Sequence, residues 1–169
     1  MYKIPLTGLK VGTHHYNYKL DSSFFNEFAE TEGIVGELDA NVVLIKTELL
    51  LTLNIELNGE IESICDRCLD TFNMQFSAQT EMFVKFGEKE EELAENLIVL
   101  SADEDFLDLK DLFYELYFLN IPLKIVHPDI EGESTCNERM LEKLDDYSVD
   151  PANKIDPRWA ELKKLINNK

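Results

Sequence analysis

Between residues 49 and 58 every second residue is apolar, and the residues between them are mostly polar. Successive side chains of a β-strand point to opposite faces, so a period of two predicts a strand that buries one face. A second alternating run between residues 72 and 86 predicts a further long strand or pair of strands, and hence an antiparallel sheet at the centre of the fold. The apolar positions of the two runs are Leu49, Leu51, Leu53, Ile55, Leu57, Phe72, Met74, Phe76, Met82, Val84 and Phe86.

The dipeptide Asn58-Gly59 lies directly after the first run and is the strongest short turn signal in the chain. A two-residue turn would place Leu57 opposite Glu60, an apolar side chain against a charged one. A three-residue loop would instead pair Leu57 with Ile61 and keep one face of the hairpin apolar. The sequence therefore predicts a hairpin at this point, with an odd-length loop or a bulge.

An apolar helix is predicted from Asp108 to Asn120, since an acidic residue can cap its start and Pro122 cannot continue it. Its apolar residues share one face, which is expected to lie across the sheet. A second, shorter helix is expected to begin at Asp156-Pro157, where an N-cap acid precedes a proline.

These elements predict an α+β fold, in which a mostly antiparallel sheet is packed by a central apolar helix and followed by a short C-terminal helix. A chain of 169 residues is long enough for one well-buried core and rather short for two. Residues 1–144 are expected to form this single domain, and residues 145–169 a turn-rich linker with a basic helix.

The composition is that of a soluble globular protein, with 44% hydrophobic and 30% charged residues. The longest nearly uncharged run, from Val42 to Ile55, is too short for a membrane helix, and the N-terminus lacks the apolar core of a signal peptide. We therefore expect a cytoplasmic protein whose cysteines stay reduced.

Acidic and basic residues are unevenly distributed in a chain whose net charge is −18. Residues 88–115 hold eleven acidic side chains against two lysines. Such a region should repel nucleic acid and favour a basic protein partner, although charge runs also serve only to solvate a surface. The candidate acidic partner surface consists of Glu90, Glu91, Glu92, Asp103 and Glu104. The candidate residues for binding nucleic acid or another partner on the basic C-terminal helix are Arg158, Trp159, Lys163 and Lys164.

A metal site is predicted from Cys65 and Cys68, two thiols that are spaced to bind one ion, together with Cys136 and with His127 as a fourth group. These residue types suit Zn²⁺, which would join the Cys-x2-Cys segment to the loop after the central helix. The alternative is that the cysteines are small buried hydrophobic residues. Arg67 could bind a phosphate or carboxylate of a partner, or pair with a neighbouring acid.

No sequence pattern marks a nucleophilic triad or a phosphate-binding glycine loop, so we expect a protein that is not an enzyme.

The hexapeptide Cys65-Asp66-Arg67-Cys68-Leu69-Asp70, placed after a leucine-rich strand, resembles the signature of the YceD family of bacterial large ribosomal RNA subunit accumulation proteins. The resemblance implies a non-enzymatic factor that supports 23S rRNA accumulation and large ribosomal subunit biogenesis. It implies as partners precursor or mature 23S rRNA, basic large-subunit ribosomal proteins, or both. It continues through Asp108-Leu109, Tyr114-Glu115, Asn120-Ile121-Pro122-Leu123, His127, Cys136 and the segment from Asp156 to Leu165.

One departure from the family pattern concerns the metal ligands. The resemblance implies a second Cys-x2-Cys in some relatives, whereas this chain has only Cys136 after the Pro-Leu segment. Any metal site is therefore incomplete unless His127 or a water closes it. The alternative function is that of a zinc-stapled protein-interaction module without RNA contact.

Overall fold

The computed structural model describes residues 2–31, 33–87, 96–101, 103–130 and 133–148. None of the helices in these ranges is both long and apolar enough to cross a membrane. The strands are β1 (Lys3–Pro5), β2 (Gly12–Leu20), β3 (Gly36–Lys46), β4 (Leu51–Ile64), β5 (Thr71–Phe86), β6 (Leu97–Leu100), β7 (Phe106–Asp108), β8 (Asp129–Ile130) and β9 (Glu133–Ser134). The helices are α1 (Ser22–Phe25), α2 (Lys110–Asn120) and α3 (Glu138–Tyr147), with a 3₁₀ turn at Ala29–Thr31.

The main sheet has five strands in the order β2-β3-β4-β5-β6. Its first four strands are antiparallel, and β6 pairs in parallel with the end of β5. The pairing of β4 is unbroken on both sides, from Leu51 opposite Lys46 and Val84 to Ile61 opposite Gly36 and Met74. The predicted antiparallel centre is confirmed, and the parallel edge strand makes the sheet mixed.

The alternating run predicted to form a strand buries one face as expected, from Leu51 to Leu57. Leu49 is an exception, since its side chain is 90% exposed. It lies in the tight turn between β3 and β4, which is closed by the bond from the N–H of Thr47 to the carbonyl of Leu50, at 3.0 Å. The strand therefore begins two residues later than the alternation begins.

The predicted α+β class, with a central apolar helix packing the sheet, is wrong. The protein is mostly β, and α2 has only 11 residues. Three of these are buried, and two of the three pack among aromatic side chains: Phe113 against Tyr2 and Tyr18, and Tyr117 against Phe25 and Phe76. The prediction failed because the many apolar residues of the helix suggested that it forms more of the core than it does. Much of the buried core comes instead from the N-terminal segment, residues 2–31.

The predicted hairpin at Asn58-Gly59 is also wrong, because β4 runs through both residues without a bulge. The glycine is required by a close approach of strands. A Cβ at Gly59 would lie 2.2 Å from the carbonyl oxygen of Glu37 and 2.9 Å from the Cα of Leu38. The alternation predicted the paired faces correctly, but Gly59 serves the packing of β3 on β4 and not a reversal of the chain.

Of the predicted tail at residues 145–169, only residues 145–148 lie within the described ranges. Helix α3 includes the first three of them, so it extends past residue 144. The basic C-terminal helix lies outside the described residues, and the division of the chain after residue 144 stays a prediction.

Replacing Gly59 with alanine should lower the free energy of unfolding by about 2–3 kcal/mol, because a methyl group must displace the backbone of β3. Urea denaturation measures the change. The matched control is Gly87→Ala, where a Cβ meets nothing within 4 Å. That control should be neutral or slightly stabilising, since alanine restricts the unfolded chain. Equal stability of the two variants would contradict the close-approach explanation.

Candidate metal centre

The chain reverses direction between β4 and β5 in six residues, Cys65 to Asp70, which we call the cysteine turn. The N–H of Cys65 donates to the carbonyl of Asp70 at 2.9 Å, and the N–H of Leu69 donates to the carbonyl of Cys65 at 2.9 Å. Leu69 has φ +63°, a left-handed conformation that is uncommon for a non-glycine residue. This compact turn buries Cys68 as well as Cys65, each at most 1% exposed.

His127 reaches the cysteine turn because its segment is fastened to Asp66. The N–H of Asp66 donates to the carbonyl of Ile125 at 2.7 Å, and the N–H of Ile125 donates to Oδ2 of Asp66 at 2.6 Å. The carbonyl and the N–H of Ile125 are therefore both hydrogen-bonded to Asp66, and the N–H bonds its carboxylate. Ile125 lies two residues before His127. Hydrogen bonds to a charged acceptor are stronger than neutral ones, so this contact positions the segment firmly.

Cys136 is brought to the same place by a contact of the second acid in the turn. Nδ2 of Asn137 donates to Oδ2 of Asp70 at 3.0 Å. The hydroxyl of Thr135 donates to the carbonyl of Pro128 at 2.8 Å, which joins the segment carrying Cys136 to the segment carrying the imidazole. Each aspartate of the cysteine turn thus holds one of the two distant segments.

All four predicted ligands meet at one point, with every pair of ligand atoms within 4.8 Å. The Sγ atoms of Cys65 and Cys136 are 3.8 Å apart, and Nδ1 of His127 lies 3.4 Å from Sγ of Cys68 and 3.8 Å from Sγ of Cys136. Zn²⁺ forms bonds of about 2.3 Å to sulfur and 2.0–2.1 Å to nitrogen. A regular tetrahedron with these bonds has S···S edges of about 3.8 Å and S···N edges of about 3.6 Å. The donor set and its spacing therefore fit a four-coordinate zinc ion.

Apolar side chains shield the four-residue cluster from solvent. The ring of Phe72 stacks on the imidazole of His127, with centroids 4.4 Å apart and planes 29° apart. Val126, Met140 and Leu141 pack against the three cysteines. These contacts form a second apolar cluster, separate from the main core of the sheet.

The sulfur of Cys65 accepts several backbone N–H groups. Burial alone would raise the pKa of its thiol, but donation from the N–H groups of Cys68, Arg67 and His127 lowers that pKa to about 5. The N–H of Arg67 lies 3.4 Å from the sulfur. The lowered pKa favours the thiolate form of Cys65, the form that binds a metal.

The pKa of the Cys68 thiol is shifted in the opposite direction. Burial raises it, the sulfurs of Cys65 and Cys136 raise it further, and the N–H groups of Asn137 and Asp70 oppose the shift. Three thiols this close do not all ionise by themselves, since like charges repel. A bound cation would offset that repulsion and favour the thiolate form of its ligands.

Arg67 extends from the cysteine turn with its Nη1 3.9 Å from Sγ of Cys136. It also lines an open cleft of about 600 Å³ beside α3. The carboxylates of Glu138, Glu142 and Asp145 line the same cleft. A guanidinium facing three carboxylates makes this surface electrically mixed, which does not by itself indicate a phosphate site.

The other predicted binding residues fall in three groups. Asp103 and Glu104 are exposed, as a partner surface requires. Glu90, Glu91 and Glu92 lie outside the described residues, and so do Arg158, Trp159, Lys163 and Lys164. Their binding roles stay predictions.

Four residues that position the ligands were missed by the sequence interpretation: Asp66, Asp70, Phe72 and Asn137. Two of them, Asp66 and Asn137, are direct neighbours of a ligand in sequence, while Asp70 and Phe72 lie two and four residues after Cys68. Residues next to metal ligands commonly orient them, and this adjacency was the signal that could have found them.

Replacing Asp66 with alanine should loosen the segment that carries His127, because the N–H of Ile125 loses a charged acceptor. Hydrogen bonds of this kind contribute about 1.5–3 kcal/mol. Amide hydrogen exchange at Ile125 should therefore speed up at least tenfold. The matched variant Asp70→Ala should instead affect the segment around Asn137, and unchanged exchange at Ile125 in Asp66→Ala would contradict the assigned contact.

Comparison with known proteins places the centre within a family. A search of curated proteins and a search of solved structures each found no match. The model of one protein family matches residues 53–166, a range that includes all four ligands of the candidate centre and more than half of the chain. The chain therefore belongs to the YceD family, whose description is large ribosomal RNA subunit accumulation protein YceD.

Proposed function

We propose that this protein is a non-enzymatic factor that supports 23S rRNA accumulation and the biogenesis of the large ribosomal subunit. The family match over residues 53–166 is the observation that carries this proposal, since the family is described by that role. The same proposal places the protein in the cytoplasm, where ribosomal subunits are assembled.

A non-catalytic role is supported by the arrangement of the thiols. The chain has three cysteines, and all three are buried against one another and against His127. A nucleophilic cysteine must reach its substrate, whereas these cysteine residues are at most 5% exposed. Their mutual spacing instead suits a closed structural metal site with four protein ligands.

We infer that Cys65, Cys68, His127 and Cys136 hold one Zn²⁺. The ion would fasten the cysteine turn, at the tip of the β4–β5 hairpin, to the segment that leads into α3. Helix α3 has no buried residue, so it gains little support from a core of its own. Metal binding contributes directly to folding where ligands come from distant segments, and this is the role we assign to the ion.

The partner that we propose is large-subunit rRNA, a basic large-subunit protein, or both. Charge in the described part of the chain favours the protein. An open cleft of about 700 Å³ at the sheet is lined by Asp21, Glu37, Asp39, Glu60 and Glu62. Such a surface attracts lysine and arginine and repels phosphate. The alternative function, a zinc-stapled interaction module that never contacts RNA, is supported by this same charge.

Protein purified without chelator should contain close to one zinc per chain by elemental analysis. Cys136→Ser should contain well under half an equivalent, because a structural zinc site needs all four ligands. His127→Ala should lose zinc similarly, while the matched control His15→Ala, at an exposed histidine of β2, should keep it. Wild-type protein without zinc, folded and monodisperse, would contradict the metal assignment.

Cells depleted of the protein should show a lower ratio of 23S to 16S rRNA, and a plasmid copy of the wild-type chain should restore it. The His15→Ala copy should restore the ratio equally. The Cys65→Ser/Cys68→Ser copy should fail to restore it, provided that immunoblotting shows comparable protein levels. An unchanged ratio and a normal ribosome profile after depletion would refute the ribosomal role.

A further inference from the structure

Three aromatic rings stack along one flank of α2. Lys110, Tyr114 and Phe118 are spaced four residues apart, so they form one row on the helix surface. The Tyr114 ring is stacked on Phe28 from the N-terminal segment, with centroids 4.1 Å apart and planes 16° apart. It is also stacked on Phe118, with centroids 5.7 Å apart and planes 22° apart. We call Phe28, Tyr114 and Phe118 the ring stack.

The Phe28 ring of the stack already binds a cation of the chain itself. The Nζ atom of Lys110 lies 4.8 Å from the centroid of Phe28, within the range of a cation–π interaction. The same ammonium forms an ion pair with Glu27. A ring and a carboxylate together therefore hold a positive charge at this position.

Phe118 has a similar environment but is open to solvent. Its side chain is 48% exposed, and the neighbouring Leu119 is 79% exposed. Glu115 precedes Phe118 by three residues, so the two side chains are neighbours on the helix surface. Asp111 lies on the same flank, about two turns before Phe118. Both acidic residues are exposed. The surface at Phe118 thus offers a ring, nearby carboxylates and an apolar side chain.

We propose that Phe118 and Glu115 dock an arginine side chain of a basic protein partner. A guanidinium stacks on an aromatic ring while its N–H groups bind a carboxylate, and its aliphatic stem can lie on an apolar residue such as Leu119. The net charge of −18 attracts such a partner. A nucleobase could also stack on a ring, but Glu115 and Asp111 would repel its phosphates, so the protein partner is favoured.

The proposal that this partner is a large-subunit protein rests on the proposed function. The proposal that Phe118 and Glu115 bind an arginine rests only on the chemistry of the surface. If Phe118 binds no peptide but depletion still lowers the ratio of 23S to 16S rRNA, only the surface proposal fails. If Phe118 binds the peptide but depletion leaves that ratio unchanged, only the ribosomal role fails. A direct binding experiment with defined probes therefore tests the surface separately from the ribosomal role.

The test uses the full chain and two fluorescent peptides of equal charge, one with four Gly-Arg repeats and one with four Gly-Lys repeats. Fluorescence anisotropy gives the affinity of each. Attraction that depends only on charge strengthens the binding of both peptides equally, so it does not affect the ratio of the two affinities. The wild-type protein should prefer the arginine peptide, and Phe118→Leu should reduce that preference about two- to five-fold, the usual size of an exposed cation–π contribution.

Three further variants complete the design. Phe118→Tyr keeps a ring and should keep the preference, while Glu115→Gln should weaken binding of the arginine peptide. Phe106→Leu is the matched control, because Phe106 is also an exposed ring, at 52%, but its acidic neighbours are engaged within the chain, Asp105 by the hydroxyl of Thr7 and Asp108 by the ammonium of Lys3. That control should leave the ratio unchanged.

Equal ratios in wild type and Phe118→Leu, or the same reduction in Phe106→Leu, would overturn the proposal. A 12-nucleotide single-stranded RNA serves as the third probe. Tight RNA binding that Phe118→Leu weakens more than it weakens peptide binding would also overturn it, and would identify the ring as a platform for nucleobases.

Discussion

The uninterrupted pairing of β4 with both of its neighbours is the constraint on which the rest of the structure depends. Fourteen residues of β4 keep one register with β5 and eleven keep one register with β3, and a slip of one residue would turn every buried leucine toward solvent. Gly59 allows this pairing, because β3 passes too close for any side chain at that position. The same alternation continues to Cys65 and delivers its sulfur to the buried face.

The metal centre extends this constraint beyond the sheet. The β4–β5 hairpin supplies two sulfurs on a rigid turn, and the other two ligands arrive on segments that have little secondary structure. Short polar contacts of Asp66 and Asp70 replace the packing that such segments lack. A preformed set of ligands reduces the ordering that a bound ion would otherwise have to impose, which is why these contacts matter to the site.

The centre and the ring stack lie on different elements and have different chemistry. The centre is buried, built from thiols and enclosed by its own apolar cluster. The ring stack joins α2 to the N-terminal segment and ends at an exposed phenylalanine among acids. A protein that acts by binding can separate these tasks, since one region maintains the shape of the chain while another meets the partner.

The sequence by itself determined the alternating strands, the antiparallel centre, the identity of the four candidate ligands and the family. Periodicity and residue chemistry are local properties, so they can be read before the chain is folded. The sequence did not reveal that Asn58-Gly59 lies inside a strand. A glycine can be required by a turn or by the close approach of a neighbouring strand, and the sequence alone does not distinguish the two. It overestimated the share of α2 in the core, since the competing aromatic residues come from the N-terminal segment.

Only the tertiary structure decided that His127 and Cys136 reach the cysteine turn. Between Cys68 and His127 lie 58 residues, and nothing local to either end determines their distance. The approach depends on contacts of Asp66 and Asp70 with segments far away in sequence. Such contacts leave no periodic pattern, because they join single atoms of distant residues, and the fold alone brings these atoms within bonding range.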